Sequence, residues 1–210
     1  QSSDRWALEA FAGTQEVGLY AVLFQLGYTP IIMATGLAMT LIAPVLFQRS
    51  GDASDHARNQ NVHRLVWSIT LSGLLLTLTG FLLAFGLHDV IFRYLVAMKY
   101  RSASHFLPWL ICAGGMFAAG QMLSLKLVSE MRSLSLVRAK IITALFGIGL
   151  NFCGAAAAGL KGIVAANVAF GSIYLLWMII LAIRTPGAFV KAESSKCESN
   201  NENTTKISLI

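Results

Sequence analysis

Five long stretches of this chain carry no acidic or basic side chain, and short polar segments separate them. The stretches are 18–48, 65–87, 106–125, 141–160 and 162–183. A helix needs roughly 20 predominantly apolar residues to cross the hydrocarbon of a bilayer, and each stretch is that long. The pattern predicts spans over about 18–47, 65–87, 106–126, 140–160 and 162–184. None of the stretches alternates with period two, so closed-barrel strands are excluded, and helices are the remaining way to satisfy a backbone in lipid. The first span contains Pro30 and Pro44. It reads as one helix from about Val17 to Phe47, kinked before Pro30.

The connections differ in character. "QRSGDASDHARNQNVHR", residues 48–64, reads as a polar loop. In "HDVIFRYLVAMKYRSASH", residues 88–105, Val90, Ile91, Tyr94, Leu95 and Met98 share one helical face, while Asp89, Arg93 and Lys99 interrupt the apolar run. That predicts a short helix lying in the membrane interface over about 88–100. The last two spans are joined by little more than Lys161 and Gly162. After Pro186 and Gly187, the Ser/Asn/Glu/Lys mixture of residues 185–210 cannot bury a core and predicts a disordered tail.

Composition agrees with this division. Hydrophobic residues make up 56% of the chain and charged residues 12%, against about 25% charged in an average soluble domain. The basic residues are distributed unevenly. The segments 48–64 and 126–140 and the tail hold Arg49, Arg58, Arg64, Lys126, Arg132, Arg138, Lys140, Arg184, Lys191, Lys196 and Lys206, which is 11; the opposite side holds Arg5, Arg93, Lys99, Arg101 and Lys161, which is 5. Lysine and arginine accumulate in cytoplasmic loops, so a cytoplasmic C-terminus is predicted. Much of the net charge of +6 then faces anionic membrane lipid on that side, and nucleic acid is not implied. The acceptor sequence Asn203-Thr204-Thr205 would not be presented for glycosylation on that side.

Catalytic chemistry finds no support. There is no G-x-S-x-G, H-E-x-x-H or phosphate loop, and the four histidines, His56, His63, His88 and His105, lie in loops or at span ends. His56 and His63 could share a helix face, but solvated loop histidines are the plainer reading against a metal site. Cys112 and Cys153 fall in spans, and Cys197 in the tail, with no spacing suited to a disulfide or zinc. No enzyme activity, cofactor or metal is predicted.

Small residues are concentrated in the later spans: "CAGGMFAAGQ", "GIGLNFCGAAAAG" and "GIVAANVAFGS". The spacing Gly147–Asn151–Ala155–Gly159 suits close helix–helix contact, with the lining of a wide cavity as the alternative. Gln25, Tyr28, Gln121, Asn151 and Asn167 lie within spans, where they either hydrogen-bond between helices or line a hydrated path. At the head of the chain, Arg5 and Glu9 stand four apart and can pair along one helix face, with Asp4 beside it. Two readings stand there: a solvated turn at the membrane edge, or the end of a longer span whose charges face a bundle interior or an aqueous cavity.

The stretch "SDRWALEAFAGTQEVGLYAVLFQLG" resembles the junction of helices seven and eight in polysaccharide flippases of the multidrug/oligosaccharidyl-lipid/polysaccharide exporter superfamily. It has an Asp-Arg pair, then an apolar stretch, then Val17-Gly18-Leu19-Tyr20 opening the next helix. "KYRSASHFLPWL", residues 99–110, resembles that family's Tyr, small-residue, Leu-Pro approach to helix ten. Asn151 matches a helix-eleven asparagine, and "GLKGIVAANVAF", residues 159–170, resembles the glycine-rich hairpin into helix twelve. These motifs fall in order across residues 2–184.

The resemblance implies an all-α, polytopic membrane bundle over residues 1–184. It would be the C-terminal lobe of a transporter of about twelve helices, comprising the end of one helix and five full spans. It implies an inner-membrane protein whose partners are a polyprenyl-diphosphate-linked oligosaccharide, membrane lipids and an N-terminal lobe not contained in this sequence. Asp4, Arg5, Glu9, Gln25, Tyr28 and Asn151 are the candidates for lining a substrate cavity between the lobes, with Asp4 and Arg5 on the cut seventh helix. Two alternatives are a drug/cation antiporter of the same superfamily and a non-transporting membrane subunit of a glycan-assembly complex. The antiporter would want an acidic residue deep in a span, and the five spans contain none.

Overall fold

In the computed structural model, residues 3–49, 56–129 and 133–183 are described, and all their regular structure is helical. Helix α1 (Ser3–Phe11) turns through Gly13 into α2 (Thr14–Leu23). Gly13 takes φ 86°, a left-handed conformation open to glycine, and its N–H together with that of Ala12 closes the end of α1 on the Leu8 carbonyl. From α2 the chain continues through a π-turn, Phe24–Tyr28, into α3 (Thr29–Arg49). Then follow α4 (His56–Leu95), a 3-10 helix (Met98–Phe106), α5 (Leu107–Ser129) and α6 (Ser133–Ile183).

Four of these helical segments are long and apolar enough to cross a membrane: Thr14–Leu46, Arg64–Leu95, Met98–Val128 and Leu136–Ile183. The last is a hairpin of two arms. At Ala158 (φ −149°, ψ 21°) and Gly159 (φ 54°, ψ −128°) the backbone leaves the helix. Beyond that point Gly162 lies directly on the Gly154 backbone, and Phe170 lies across Gly147, the register of two antiparallel arms. The arms, residues 136–157 and 160–183, are each about 33–36 Å long, enough for one crossing. The predicted link at Lys161–Gly162 is therefore displaced by a few residues. Lys161 sits exposed just inside the second arm, and the reversal falls where Gly159 can take a dihedral pair closed to other residues.

Two further sequence expectations are corrected. Residues 56–64, read as loop, begin α4, and residues 88–95, assigned to an interfacial helix, finish it. Nothing between Leu87 and Leu95 breaks a helix, so α4 continues past the apolar window with Asp89 and Arg93 exposed and Phe92 buried. The kink expected before Pro30 takes the form of the π-turn. Proline would leave the Leu26 carbonyl without its donor and press its ring against it, and a wider turn accommodates both. The predicted tail, the His56 and His63 side chains and Cys197 lie outside the described residues.

Helix α5 is the centre of the bundle. Half of its most apolar window is buried, against 11% for each of the α2–α3 and α4 windows, so those helices form the periphery. The packing relies on small residues, in keeping with their spacing in the sequence. Gly115 accepts the Thr77 side chain of α4, and a Cβ on Gly171 would fall 2.9 Å from the Ala113 carbonyl of α5. Gly120 receives the Tyr174 ring, where a Cβ would sit 2.6 Å from the ring carbons. Such contacts supply the van der Waals packing that holds helices together where lipid competes for apolar surface.

Two apolar clusters occupy opposite ends. One joins α1, α2, the end of α4, the 3-10 helix, the start of α5 and the α6 reversal through Leu8, Leu23, Phe92, Ala103, Leu107 and Ile163. The other joins the far ends through Leu46, Val66, Leu127, Leu136 and Met178. The three connections predicted to share one side of the membrane (residues 12–14, 88–105 and 158–162) thus meet at one end of the bundle. The ends flanking the 48–64 and 126–140 segments meet at the other.

Candidate functional site

The Asp4-Arg5 pair is split by the fold. Asp4 is 3% exposed, pointing into the bundle, while Arg5 is exposed on the outer side of α1 together with Trp6 and Glu9. The split follows from helical geometry. Ala7 and Leu8, three and four residues after Asp4, are fully buried against α6, so Asp4 shares their face and Arg5 is rotated about 100° away.

Asp4 has three hydrogen-bond donors. The Tyr20 hydroxyl of α2 donates to Oδ2 at 2.6 Å, Asn151 Nδ2 of the first α6 arm donates to Oδ1 at 3.4 Å, and Ser3 Oγ donates to Oδ1 at 3.2 Å. Asn167 of the second arm donates to Tyr20 Oη at 3.1 Å and to the Ile163 carbonyl at 3.0 Å. One buried carboxyl thereby connects α1, α2 and both arms of α6. Asn151 Oδ1 is buried with no hydrogen-bond partner. The cluster therefore has an acceptor to spare.

A second polar tie lies at the α6 reversal. Glu16, in the first turn of α2, accepts the Leu160 N–H on Oε2 at 2.7 Å. Leu160 opens the second arm, whose first N–H groups have no intrahelical acceptor, so Glu16 serves as a cap supplied from another helix. At the end of α4, Ser104 Oγ donates to Asp89 Oδ1 at 2.9 Å and lies 3.2 Å from His88 Nδ1, which is itself 3.0 Å from Asp89 Oδ1. This Ser-His-Asp grouping is not a catalytic triad. Both other groups meet the same imidazole nitrogen, Ser104 is buried, and its proton is committed to the carboxylate. It fastens the 3-10 helix back onto α4.

The six candidates for a cavity lining divide evenly. Arg5, Glu9 and Gln25 are exposed, and Asp4, Tyr28 and Asn151 are buried. Within this chain Asp4 is internal, held by Tyr20 and Asn151. Tyr28 stacks on Phe24 at 4.6 Å and packs against Gly114, so it lines no open surface of this chain. No ion pair joins Arg5 to Glu9 among the described residues. Tyr20 stands in the Val17–Tyr20 motif, but nothing local in the sequence pairs it with Asp4, or Glu16 with Leu160; the fold brings those partners together. No group of three or more His, Cys, Asp or Glu residues that could hold a metal occurs among the described residues.

Fold and polar clusters together define an all-helical chain with four helices fit to cross a membrane, tied internally by a buried carboxyl. Comparison with known proteins returns no matching family model, no matching curated protein and no matching solved structure.

Proposed function

We propose that this chain is the C-terminal lobe of an inner-membrane flippase. It would move lipid-linked oligosaccharide across the bilayer by alternating access, with its C-terminus in the cytoplasm. The observation that carries the reading is the fixed, outward position of Arg5. Asp4 is clamped inside by Tyr20 and Asn151, and that clamp leaves the Arg5 guanidinium and Glu9 exposed on the outer side of α1. Charges retained on such helices face an aqueous cavity or another part of the protein. A guanidinium suits a diphosphate because its planar fork matches phosphate oxygens. A polar glycan cannot enter hydrocarbon, so two lobes rocking about a hydrated site supply its path. No covalent bond changes, and the reading is a transporter and not an enzyme.

The test is an Arg5 series in the full-length protein, scored by surface polysaccharide in a flippase-null strain at matched membrane abundance. Arg5→Lys should retain part of the activity, Arg5→Ala should lose most of it, and Arg5→Glu should lose more. Loss of one charged contact, about 1.5–3 kcal/mol, corresponds to roughly ten- to a hundredfold. Unimpaired transport by Arg5→Glu would overturn the reading.

A second reading, the cation-coupled antiporter, gains one observation. The acidic group that the apolar stretches lack is supplied by Asp4, which the fold buries among Tyr20, Asn151 and Asn167. Export of a cationic drug by the full-length protein, with no rescue of polysaccharide, would favour it.

A further inference from the structure

Between residues 18 and 46, the exposed side of the α2–α3 segment contains one polar side chain that the fold leaves without a partner among the described residues. Gln25 lies in the π-turn. From it the exposed positions run on through Pro30 at the five-residue step of that turn, then Ala34, Leu37, Leu41 and Pro44 at steps of four and three. The inner side of the same turn is committed. Gly27 packs on Leu107 and Leu110, and Tyr28 on Gly114, so the extra residue keeps those contacts while turning Gln25 outward. Thr40, the other exposed polar residue between 18 and 46, is satisfied by the Gly36 and Leu37 carbonyls. The Gln25 amide makes no hydrogen bond among the described residues.

Depth makes this position costly. Gln25 is 11 residues past the start of the apolar segment at Thr14, so it lies about 16 Å in, near the middle of a hydrocarbon core about 30 Å thick. The backbone adds to the demand. Thr29 gives both its N–H and its hydroxyl to the Phe24 carbonyl, and Pro30 has no N–H for the carbonyl that follows it in the turn. The exposed edge therefore offers an amide that both donates and accepts, beside the Gln25 carbonyl, to which Pro30 can give no N–H. Hydrocarbon satisfies none of these groups.

The geometry points to Gln25 and the open turn before Pro30 as a contact for the sugar hydroxyls of the transported glycan, separate from the site that takes its phosphates. The chemistry distinguishes the two. Carbonyl oxygens repel phosphate but accept from hydroxyls, and a carboxamide pairs with a hydroxyl in both directions. The apolar neighbours, Ala34 and Leu37, suit the C–H faces of a pyranose ring. In register, Asp4 faces Tyr20, so Gln25 lies some five residues, roughly 8 Å, deeper than Arg5 from the shared Gly13 turn. A lipid-linked sugar with its phosphates at Arg5 would extend toward it. This inference rests on the flippase reading.

The experiment uses the full-length protein. Gln25→Leu should lower the rate of lipid-linked oligosaccharide transport about fivefold, the worth of one hydrogen-bonding group. It should leave membrane abundance and detergent-unfolding stability unchanged, because the fold makes no use of the amide. In a protein whose native cysteines are replaced, Gln25→Cys should react with a membrane-impermeant methanethiosulfonate reagent. Labelling should be severalfold slower in cells that make lipid-linked oligosaccharide than in cells blocked at its first sugar-phosphate transfer. Wild-type transport by Gln25→Leu, labelling equal in the two strains, or a cysteine at 25 that no aqueous reagent reaches would each overturn the inference and leave the flippase reading standing. A loss of stability in Gln25→Leu would likewise overturn it, by showing a protein partner for the amide. Absence of any oligosaccharide transport by the wild-type protein would overturn both.

Discussion

Substituting Gly159 by alanine tests the hairpin and its cap together. The cost has two separable parts. Residue 159 has φ 54° and ψ −128°, outside every region comfortable for an L side chain, and holding a non-glycine residue in such a conformation costs about 1–3 kcal/mol. Independently, a Cβ at this position would lie 2.5 Å from Glu16 Oε2, a distance real Cβ atoms do not adopt, so the carboxylate must leave the Leu160 N–H. Losing a helix cap costs about 0.5–2 kcal/mol. Gly159→Ala should therefore destabilise by about 1.5–5 kcal/mol, and Glu16→Ala by about 0.5–2 kcal/mol. The two should not add. Once Glu16 is gone there is no cap left to lose, and Gly159→Ala in that background should cost only the backbone strain. The double variant should match Gly159→Ala alone, a coupling of about 0.5–2 kcal/mol. Unfolding of purified protein in mixed detergent micelles, followed by circular dichroism, measures all four corners of the cycle. Simple additivity would show that Glu16 and the reversal do not touch. A Gly159→Ala cost under about 0.5 kcal/mol would refute the positive φ itself.

The remaining predictions concern the buried cluster and sidedness. Asp4→Ala should destabilise by about 1–3 kcal/mol in the same assay, because Tyr20 and Asn151 lose their acceptor in a dry interior; Asp4→Asn, which keeps an oxygen for Tyr20, should cost less, and equal costs would refute the assigned hydrogen bonds. Cysteines introduced within 52–60 and 128–136 should label only from the cytoplasm, and one at position 14 only from outside; the 11-to-5 bias in basic residues motivates this, and inverted labelling at either inner segment would overturn the orientation.

What is legible in the sequence and what is not divide along a physical line. The long helices are legible because lipid imposes a composition: a crossing segment must exclude charge for some twenty residues, and that rule operates locally. The limits of α4 do not follow from the same rule, since exclusion of charge reports the bilayer's extent and not the helix's. Asp89 and Arg93 interrupt the apolar run, yet the helix continues to Leu95. The reversal is misplaced for a related reason. Lys161 is the conspicuous charge between two apolar runs, but the backbone turns at Gly159, where dihedral freedom allows it.

The partners of Asp4 lie beyond any local rule. Its contact with Asn151 spans 147 positions, and the sequence offers several other in-span polar residues with equal claim. Helical spacing does carry information about the Asp4-Arg5 pair itself. Ala7 and Leu8 stand three and four residues from Asp4, whereas Arg5 is neighbour to the exposed Trp6 and one turn from the exposed Glu9. The apolar face of residues 3–11 thus passes through Asp4 and leaves Arg5 to one side. The pair acts as two halves of one device. The acid holds α1 against α2 and the α6 hairpin from within, and in doing so sets the direction in which the base points. If the flippase proposal holds, Asp4→Ala should impair transport through Arg5 as well as through stability, so restoring the fold with lower temperature or stabilising lipid should recover abundance before it recovers activity. Recovery of both in step would show that Asp4 supports the fold alone and has no part in aiming Arg5.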